Sequence, residues 1–594
     1  MFELLCKLMP ILLLLILTVH CDPPTVKQTN NGPVEGIEQT SFFGKKYYSF
    51  RAVPYAEVPI TGNDPYTGET IDRRFKLPQP LVRQWIEPLK VQNFGNACIT
   101  STNFLPKSVN TSENCLFVNI YVPAGGVEKK TVLAYIHGGA FTEGTSTDFL
   151  YGPDFLIDAD NILVTFNYRV GIFGFMNLGF GEYTGNMGLK DQQLALKWIY
   201  ENIEHFSGNK DEVLLFGESA GGASVNYQML NEESRKYFNR AFALSSSSLN
   251  YYALYEPNHL ERMQKFSKIR DKQQLVEYLK TADSMELAKI QTTNDLGQIL
   301  IEAAWVPTIE SPETKGAFIT KKPKEIYKSD KAPVMDVMFS FTSQEYITFN
   351  PDLTTSNEPI LSGDWKDSKM LLPFRGFDKD TFPEEYKHAI DVLKDAYFNG
   401  TTNIDTIKRG NIGLLSDSNF DYGILKAARY QVIANNKGTP KNTFLQRFCV
   451  NADISMFKNL FHLNKDGAAH GEDVCFIFRC GALDSRKVYE NALKVRDDSN
   501  VNYRTIKRMV NIITNFARTG NPSVEGDTPF KSLSSPDEMF SQDITNDPNS
   551  SLVANLMEQT HFDSWHQIDD THQKLNSGGI LGFCNASSCD DYKN

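Results

Sequence analysis

Val213-Leu214-Leu215-Phe216-Gly217-Glu218-Ser219-Ala220-Gly221-Gly222-Ala223-Ser224 is the stretch whose reading decides the fold. An apolar run enters Gly-x-Ser-x-Gly and leaves through small residues, the pattern of a strand that turns abruptly into a helix. At the apex of such a turn the backbone is strained. Glycines two positions either side of Ser219 let strand and helix pass close to each other. Ser219 Oγ would then stand clear of a sheet, at the positive end of a helix, where N–H groups can stabilise an oxyanion. A lone G-x-S-x-G also occurs by chance as a surface turn. The strand before it and the small-residue helix start after it select the nucleophile reading.

Upstream, Thr131 to Ile136 and Asn161 to Phe166 are continuous apolar runs of strand length. Apolar runs without alternation predict strands covered on both faces. Between Asn161–Phe166 and the Ser219 turn, Leu194, Leu196, Trp198, Ile199 and Ile203 recur at helical spacing within Asp191 to His205. Strand, helix, strand, turn, helix is the rhythm of a parallel α/β sheet, whose function collects at the carboxyl ends of its strands. The first run ends in His137-Gly138-Gly139-Ala140-Phe141, where small residues leave backbone N–H groups uncovered; a plain turn is the alternative.

Residues 1–21 read as a signal peptide: Leu8 to Val19 is almost entirely apolar, follows Lys7, and is short for a membrane span. A retained anchor is the alternative. The expected mature chain, 22–594, has no later membrane-length stretch and is expected to be secreted, extracellular and without an anchor. A net charge of −12 argues against nucleic acid and anionic membranes as partners. Seven cysteines follow the signal, an odd number, so at least one thiol is free or bonded to another chain. Cys584 and Cys589 would close a short loop. Sequons at Asn110, Asn399, Asn549 and Asn585 suit a secreted glycoprotein.

Further motifs extend this reading over the whole chain. They are Phe50-Arg51-Ala52-Val53-Pro54-Tyr55-Ala56, Arg73-Arg74-Phe75-Lys76-Leu77-Pro78, Ser112-Glu113-Asn114-Cys115-Leu116-Phe117-Val118-Asn119, Asn167-Tyr168-Arg169-Val170-Gly171, Asn186-Met187-Gly188-Leu189-Lys190-Asp191-Gln192 and Phe516-Ala517-Arg518-Thr519-Gly520-Asn521-Pro522. In this order they resemble the type-B carboxylesterases, the cholinesterase-like α/β-hydrolases, and among them secreted insect esterases. The resemblance implies an α/β-hydrolase fold: a large central, mostly parallel mixed sheet flanked by helices. Segments Tyr251 to Asp330 and Gly363 to Lys441 would form helical insertions around a gorge. One domain over 22–594 is expected, because the implied site draws on distant parts of the chain.

The resemblance implies a catalytic triad of Ser219, Glu345 and His470, in the chain order of α/β-hydrolases. His470 lies in Gly467-Ala468-Ala469-His470-Gly471-Glu472-Asp473, and Glu345 in Thr342-Ser343-Gln344-Glu345-Tyr346, where Tyr346 replaces the usual Gly. The strand before it reads as Pro333 to Phe341, with Asp336 as the reserve acid. The N–H groups of Gly139, Ala140 and Ala220 would form the oxyanion hole. Cys98 with Cys115 is the implied disulfide, and Arg51 with Glu113 and Arg169 with Asp191 the implied buried ion pairs. Glu218 would tune the site electrostatically or merely shape the turn.

These assignments predict a serine carboxylesterase acting on small-molecule esters through an acyl-enzyme, with no metal or other cofactor. The alternatives are a slow scavenger or a non-catalytic binding protein on the same scaffold. Choline esters fit poorly, because Ile99 to Asn114 holds no Trp to receive a quaternary ammonium. Juvenile-hormone esterases commonly carry Gln before the nucleophile, so Glu218 counts against that substrate without excluding it.

Overall fold

The computed structural model describes residues 25–577 except 101–104, 107, 126–128, 255–257, 291–304, 350–357, 362–371, 373, 375–376, 438 and 462–465. The expected signal segment, Asn585, Cys584 and Cys589 lie outside the described residues. Eleven strands build the principal sheet: β1 (Ile37–Thr40), β2 (Lys46–Pro54), β3 (Phe117–Pro123), β4 (Lys130–Ile136), β5 (Ile162–Phe166), β6 (Gly208–Glu218), β7 (Arg240–Leu244), β8 (Asp336–Thr342), β9 (Thr443–Phe448), β10 (Ser541–Ile544) and β11 (Ser551–Val553). Their spatial order is β11-β10-β9-β8-β7-β6-β4-β5-β3-β2-β1. Strands β4 to β10 pair parallel, and the outer pairs at both edges are antiparallel.

Helices α1 (Met187–Asn202), α2 (Ala220–Leu230), α3 (Pro383–Tyr397), α4 (Ile404–Ser416), α5 (Tyr422–Asn435), α6 (Val501–Thr519) and α7 (Phe562–Ser577) cover this sheet and extend from it. The continuous apolar runs behave as their pattern predicts. On β4, Val132, Ala134 and Ile136 join one core with residues of α1, α2 and α5, while Leu133 and Tyr135 join the opposite core with residues of α6. Both faces are therefore dry, and each fully buried aliphatic side chain contributes about 1.5–3 kcal/mol. The chain passes from β4 to β5 on one side, then returns to lay β6 on the other side of β4. That reversal is a switch point, where loops leaving the strand ends diverge and open a crevice.

Both insertions carry helices among their described residues, as expected, although 305–322 is not helical. His259–Ser267, Lys272–Thr281 and Pro323–Lys328 lie in the first, and α3, α4 and α5 in the second. A π-helical turn, Asp417–Asp421, joins α4 to α5. The helix read as Asp191 to His205 starts earlier, at Met187, and tightens into a 3₁₀ turn over Ile203–Phe206.

Two disulfides are present among the described residues, Cys98–Cys115 as expected and Cys475–Cys480, while Cys449 is free. Arg169 and Asp191 form the expected buried pair, with Nε–Oδ2 at 2.8 Å and NH2–Oδ1 at 2.7 Å. The expected Arg51–Glu113 pair does not form. Arg51, on β2, points toward the Phe94 ring and donates to Gln39 Oε1 at 2.7 Å. Glu113 instead receives Arg74, with Nε–Oε2 at 2.8 Å and NH2–Oε1 at 2.5 Å. Arg74 is buried there because its remaining NH1 donates to Leu279 O and Ala282 O, at the end of an insertion helix.

Candidate active site

The turn at Ser219 is built from backbone geometry. Its N–H donates to Leu244 O of β7 at 2.9 Å, and its carbonyl accepts Ala223 N–H at 3.0 Å to start α2. At φ 61 and ψ −127, Ser219 holds a conformation that side-chain-bearing residues rarely adopt. The flanking glycines are needed for clearance. A Cβ on Gly221 would stand 2.1 Å from Ile136 O, and one on Gly217 would stand 2.7 Å from Gly221 O.

His470 Nε2 lies 2.8 Å from Ser219 Oγ, and His470 Nδ1 lies 2.5 Å from Glu345 Oε2. These three residues, 125 and 251 positions apart in the contacts they make, meet where β6, β8 and β9 end. Glu345 opens a 3₁₀ turn directly after β8, and its Oε1 accepts the Thr342 N–H at 2.7 Å. The strand expected over Pro333 to Phe341 runs Asp336–Thr342, so the turn to Glu345 follows at once. Asp336, the reserve acid, begins that strand and accepts Asn442 N–H at 2.9 Å, at the end away from the site. Tyr346 fits where Gly is usual because its ring is buried against Phe349 and its N–H donates to Ser416 Oγ at 3.1 Å.

The acid and histidine loops are stitched together. Gln344 N–H donates to Ala468 O at 2.9 Å, Ala468 N–H to Ser343 Oγ at 3.0 Å, and His470 N–H to Glu345 O at 3.2 Å. The rings of Phe420 and Phe349 pack on the imidazole, at 4.6 and 5.2 Å between centroids.

The turn after β4 brings its glycines against the serine. A Cβ on Gly138 would stand 3.0 Å from Ser219 Cβ. Gly139, Ala140 and Phe141 have φ of 112, 51 and 62, and the Gly139 carbonyl accepts the N–H groups of Thr142 and Glu143. Among the described residues no backbone carbonyl accepts from Gly139 or Ala140 N–H, and Ala220 opens α2, where N–H groups lack a partner within the helix. His137 stacks on Tyr168, and burial lowers it to about 4, so it is neutral at physiological pH.

Three buried carboxyl side chains surround the His470 imidazole: Glu345, Glu218 and Asp473. Glu218 Oε1 lies 3.1 Å from His470 Nε2, the atom that faces Ser219. Burial pushes Glu218 up to about 7, opposed by the nearby imidazole and reinforced by Glu345. Burial raises Asp473 well above the usual range, and both its oxygens lack a hydrogen-bond partner among the described residues. Burial also opposes charge on His470, but Glu218 and Glu345 outweigh it and raise its pKa above 6.5. Sequence reasoning singled out Glu218 only for its place beside Ser219. It missed Asp473, whose signal was a second acid three residues after the histidine.

The arrangement can move a proton from a hydroxyl to an imidazole oriented by a carboxylate, beside N–H groups free to receive an anion. Among the described residues no group of His, Cys, Asp and Glu is placed to hold a metal ion, and no helix is long and apolar enough to cross a membrane.

Comparison with known proteins agrees with this architecture. Esterase B1 of Culex pipiens is 28% identical over 519 residues, covering 84% of this chain and 88% of its own. A carboxylic ester hydrolase of Bombus ignitus is 27% identical over 566 residues, covering 93% and 95%. The crystal structure of juvenile hormone esterase from Manduca sexta, with OTFP covalently attached, superposes with a TM-score of 0.76 at 25% identity, over 92% of this chain and 99% of that one. The sequence pattern of the carboxylesterase family matches residues 23–565, nearly the whole described chain. The chain belongs to the carboxylesterase family, and it is a carboxylic ester hydrolase of the α/β-hydrolase fold.

Proposed function

We propose that this protein is a secreted serine carboxylesterase that hydrolyses small-molecule esters through an acyl-enzyme on Ser219. The observation that carries the reading is the continuous relay Ser219 Oγ, His470 Nε2, His470 Nδ1 and Glu345 Oε2, with separations of 2.8 and 2.5 Å. His470 takes the Ser219 proton as Oγ attacks the ester carbonyl, and Glu345 fixes the tautomer and stabilises the imidazolium. The oxyanion is received by the N–H groups of Gly139, Ala140 and Ala220, each contributing about 3 kcal/mol to the transition state. The imidazolium protonates the leaving alcohol. Water deprotonated by His470 then cleaves the acyl-serine, and Ser219 recovers its proton.

The Manduca sexta structure carries OTFP covalently attached, which suits a protein of this fold that forms covalent adducts. A non-catalytic binding role on this scaffold has no use for a buried, fully oriented relay. The apolar segment within 1–21 supports export, and the reading takes 22–594 as one domain. Asn110, Asn399 and Asn549 are exposed, as sites of glycosylation must be. The experiment is hydrolysis of 4-nitrophenyl acetate by the secreted protein and by Ser219→Ala, with intact-mass detection of an acyl adduct on Ser219. Activity unaffected by the substitution would overturn the serine mechanism. Turnover stalling after one equivalent would favour the scavenger reading.

A further inference from the structure

A cavity lies behind the loop that carries Glu345, apart from the relay. Its volume is about 260 Å³, room for several waters at ~30 Å³ each or for a small organic molecule. Phe341 of β8, Ser343 just after it, Tyr397 of α3, Gly413 of α4, and Asp417 and Asp421 of the π-helical turn line it. Asp421 is 5% exposed, and its Oδ1 has no hydrogen-bond partner among the described residues. Asp417 accepts the Tyr397 hydroxyl, which in turn accepts Trp565 Nε1–H at 2.7 Å. An unpaired carboxyl oxygen in such a place costs stability unless something occupies the cavity and meets it.

We infer that this cavity binds a small organic ammonium ion, received by the Asp417 and Asp421 carboxyls and flanked by the rings of Phe341 and Tyr397. Among the described residues no hydrogen bond or ion pair joins the cations that line the cavity to the acid pair, and Arg447 acts on both carboxyls only through its charge. Arg447 of β9 is committed to Asp543, with Nε–Oδ2 at 3.0 Å, and to Gln559 Oε1 at 3.2 Å. Arg409 of α4 is exposed and donates to Thr406 Oγ1 at 3.4 Å. The His561 ring packs on Tyr397 with centroids 4.2 Å apart, and burial lowers its pKa, which disfavours the cation. Glu345, across the loop, adds a further negative charge to the field at Asp421. A metal ion is a poorer fit, because the described residues supply no third carboxylate, thiolate or imidazole in ligating position.

Burial holds Asp417 up to about 8 and Asp421 well above the carboxylate range. An ammonium ion must therefore displace a proton, so binding tightens as pH rises toward 8, by up to about tenfold per unit. The chain offers a filling variant. A Cβ on Gly413 would sit 3.6 Å from the Tyr397 ring, in ordinary contact, so Gly413→Leu occupies the cavity without a backbone clash.

The test is calorimetric titration of the full mature protein with n-pentylammonium chloride at pH 6, 7 and 8. Expected are one site, proton release, an affinity rising with pH, at least tenfold weakening in Asp421→Asn, and loss in Gly413→Leu. Binding unchanged by both substitutions places the cation elsewhere and overturns the proposal. So does absence of saturable heat at tens of millimolar, which leaves a water-filled cavity. Binding of sodium pentanoate in place of the ammonium would make it an anion site of Arg409 and Arg447, also against the proposal.

Discussion

The half of the site that presents Ser219 and the half that presents Glu345 and His470 hold their side chains by different means. Ser219 is placed by main chain alone: a strand in mid-sheet, a strained residue, two glycines pressed on neighbouring carbonyls, and a helix. Glu345 and His470 stand on turns after β8 and β9, and their position comes from hydrogen bonds between two loops and from rings contributed by distant segments. The first half cannot be disturbed without disturbing the core. The second can lose its chemistry while the fold survives.

Substitutions that separate folding from turnover test this contrast. The largest expected effect is in the loop half. Glu345→Gln should lower kcat by about 10⁴-fold by losing the tautomer and the imidazolium partner, with the denaturant midpoint nearly unchanged. A matched loss of stability would show that the loops also carry the fold. Next, Arg169→Met leaves Asp191 buried without its partner and should cost about 3–5 kcal/mol in urea unfolding, while the folded fraction keeps wild-type kcat. Gly221→Ala forces a Cβ against Ile136 O and should cost about 3 kcal/mol, with stability and activity falling together.

Glu218→Gln is the smallest of the set. Because Glu218 helps raise His470 and the reaction needs the neutral imidazole, wild-type activity should fall as pH drops through that raised value. Removing the carboxylate should move this acid limb to lower pH, with the plateau rate changed by less than about tenfold. A limb that does not move would show that Glu218 only shapes the turn.

The same contrast explains what the sequence disclosed. Ser219 was legible because every element of its placement is local: apolar strand, spaced glycines, small-residue helix. Strands β4 and β5 were legible because burial on both faces leaves an uninterrupted apolar run. No local pattern marks Glu345 or His470, and only the family resemblance pointed to them. The family resemblance implies Arg51 for Glu113, but the partner is Arg74, because strand β2 turns Arg51 toward Phe94, which no local pattern encodes. Cys475–Cys480 and the Asp417/Asp421 pair went unread for a similar reason. A five-residue separation permits a disulfide without requiring one, and two acids four positions apart look like an exposed helix face until the packing around them is known.

The reciprocal main-chain bonds between the Gln344 and Ala468 turns tie acid and base into one rigid unit. Thermal drift of that unit leaves the carboxylate–imidazole distance intact and is felt almost wholly in the gap to Ser219 Oγ. Warming should thus erode nucleophile activation while the imidazole keeps its correct proton, and a reagent that alkylates neutral histidine would go on labelling residue 470 after ester turnover has begun to fail.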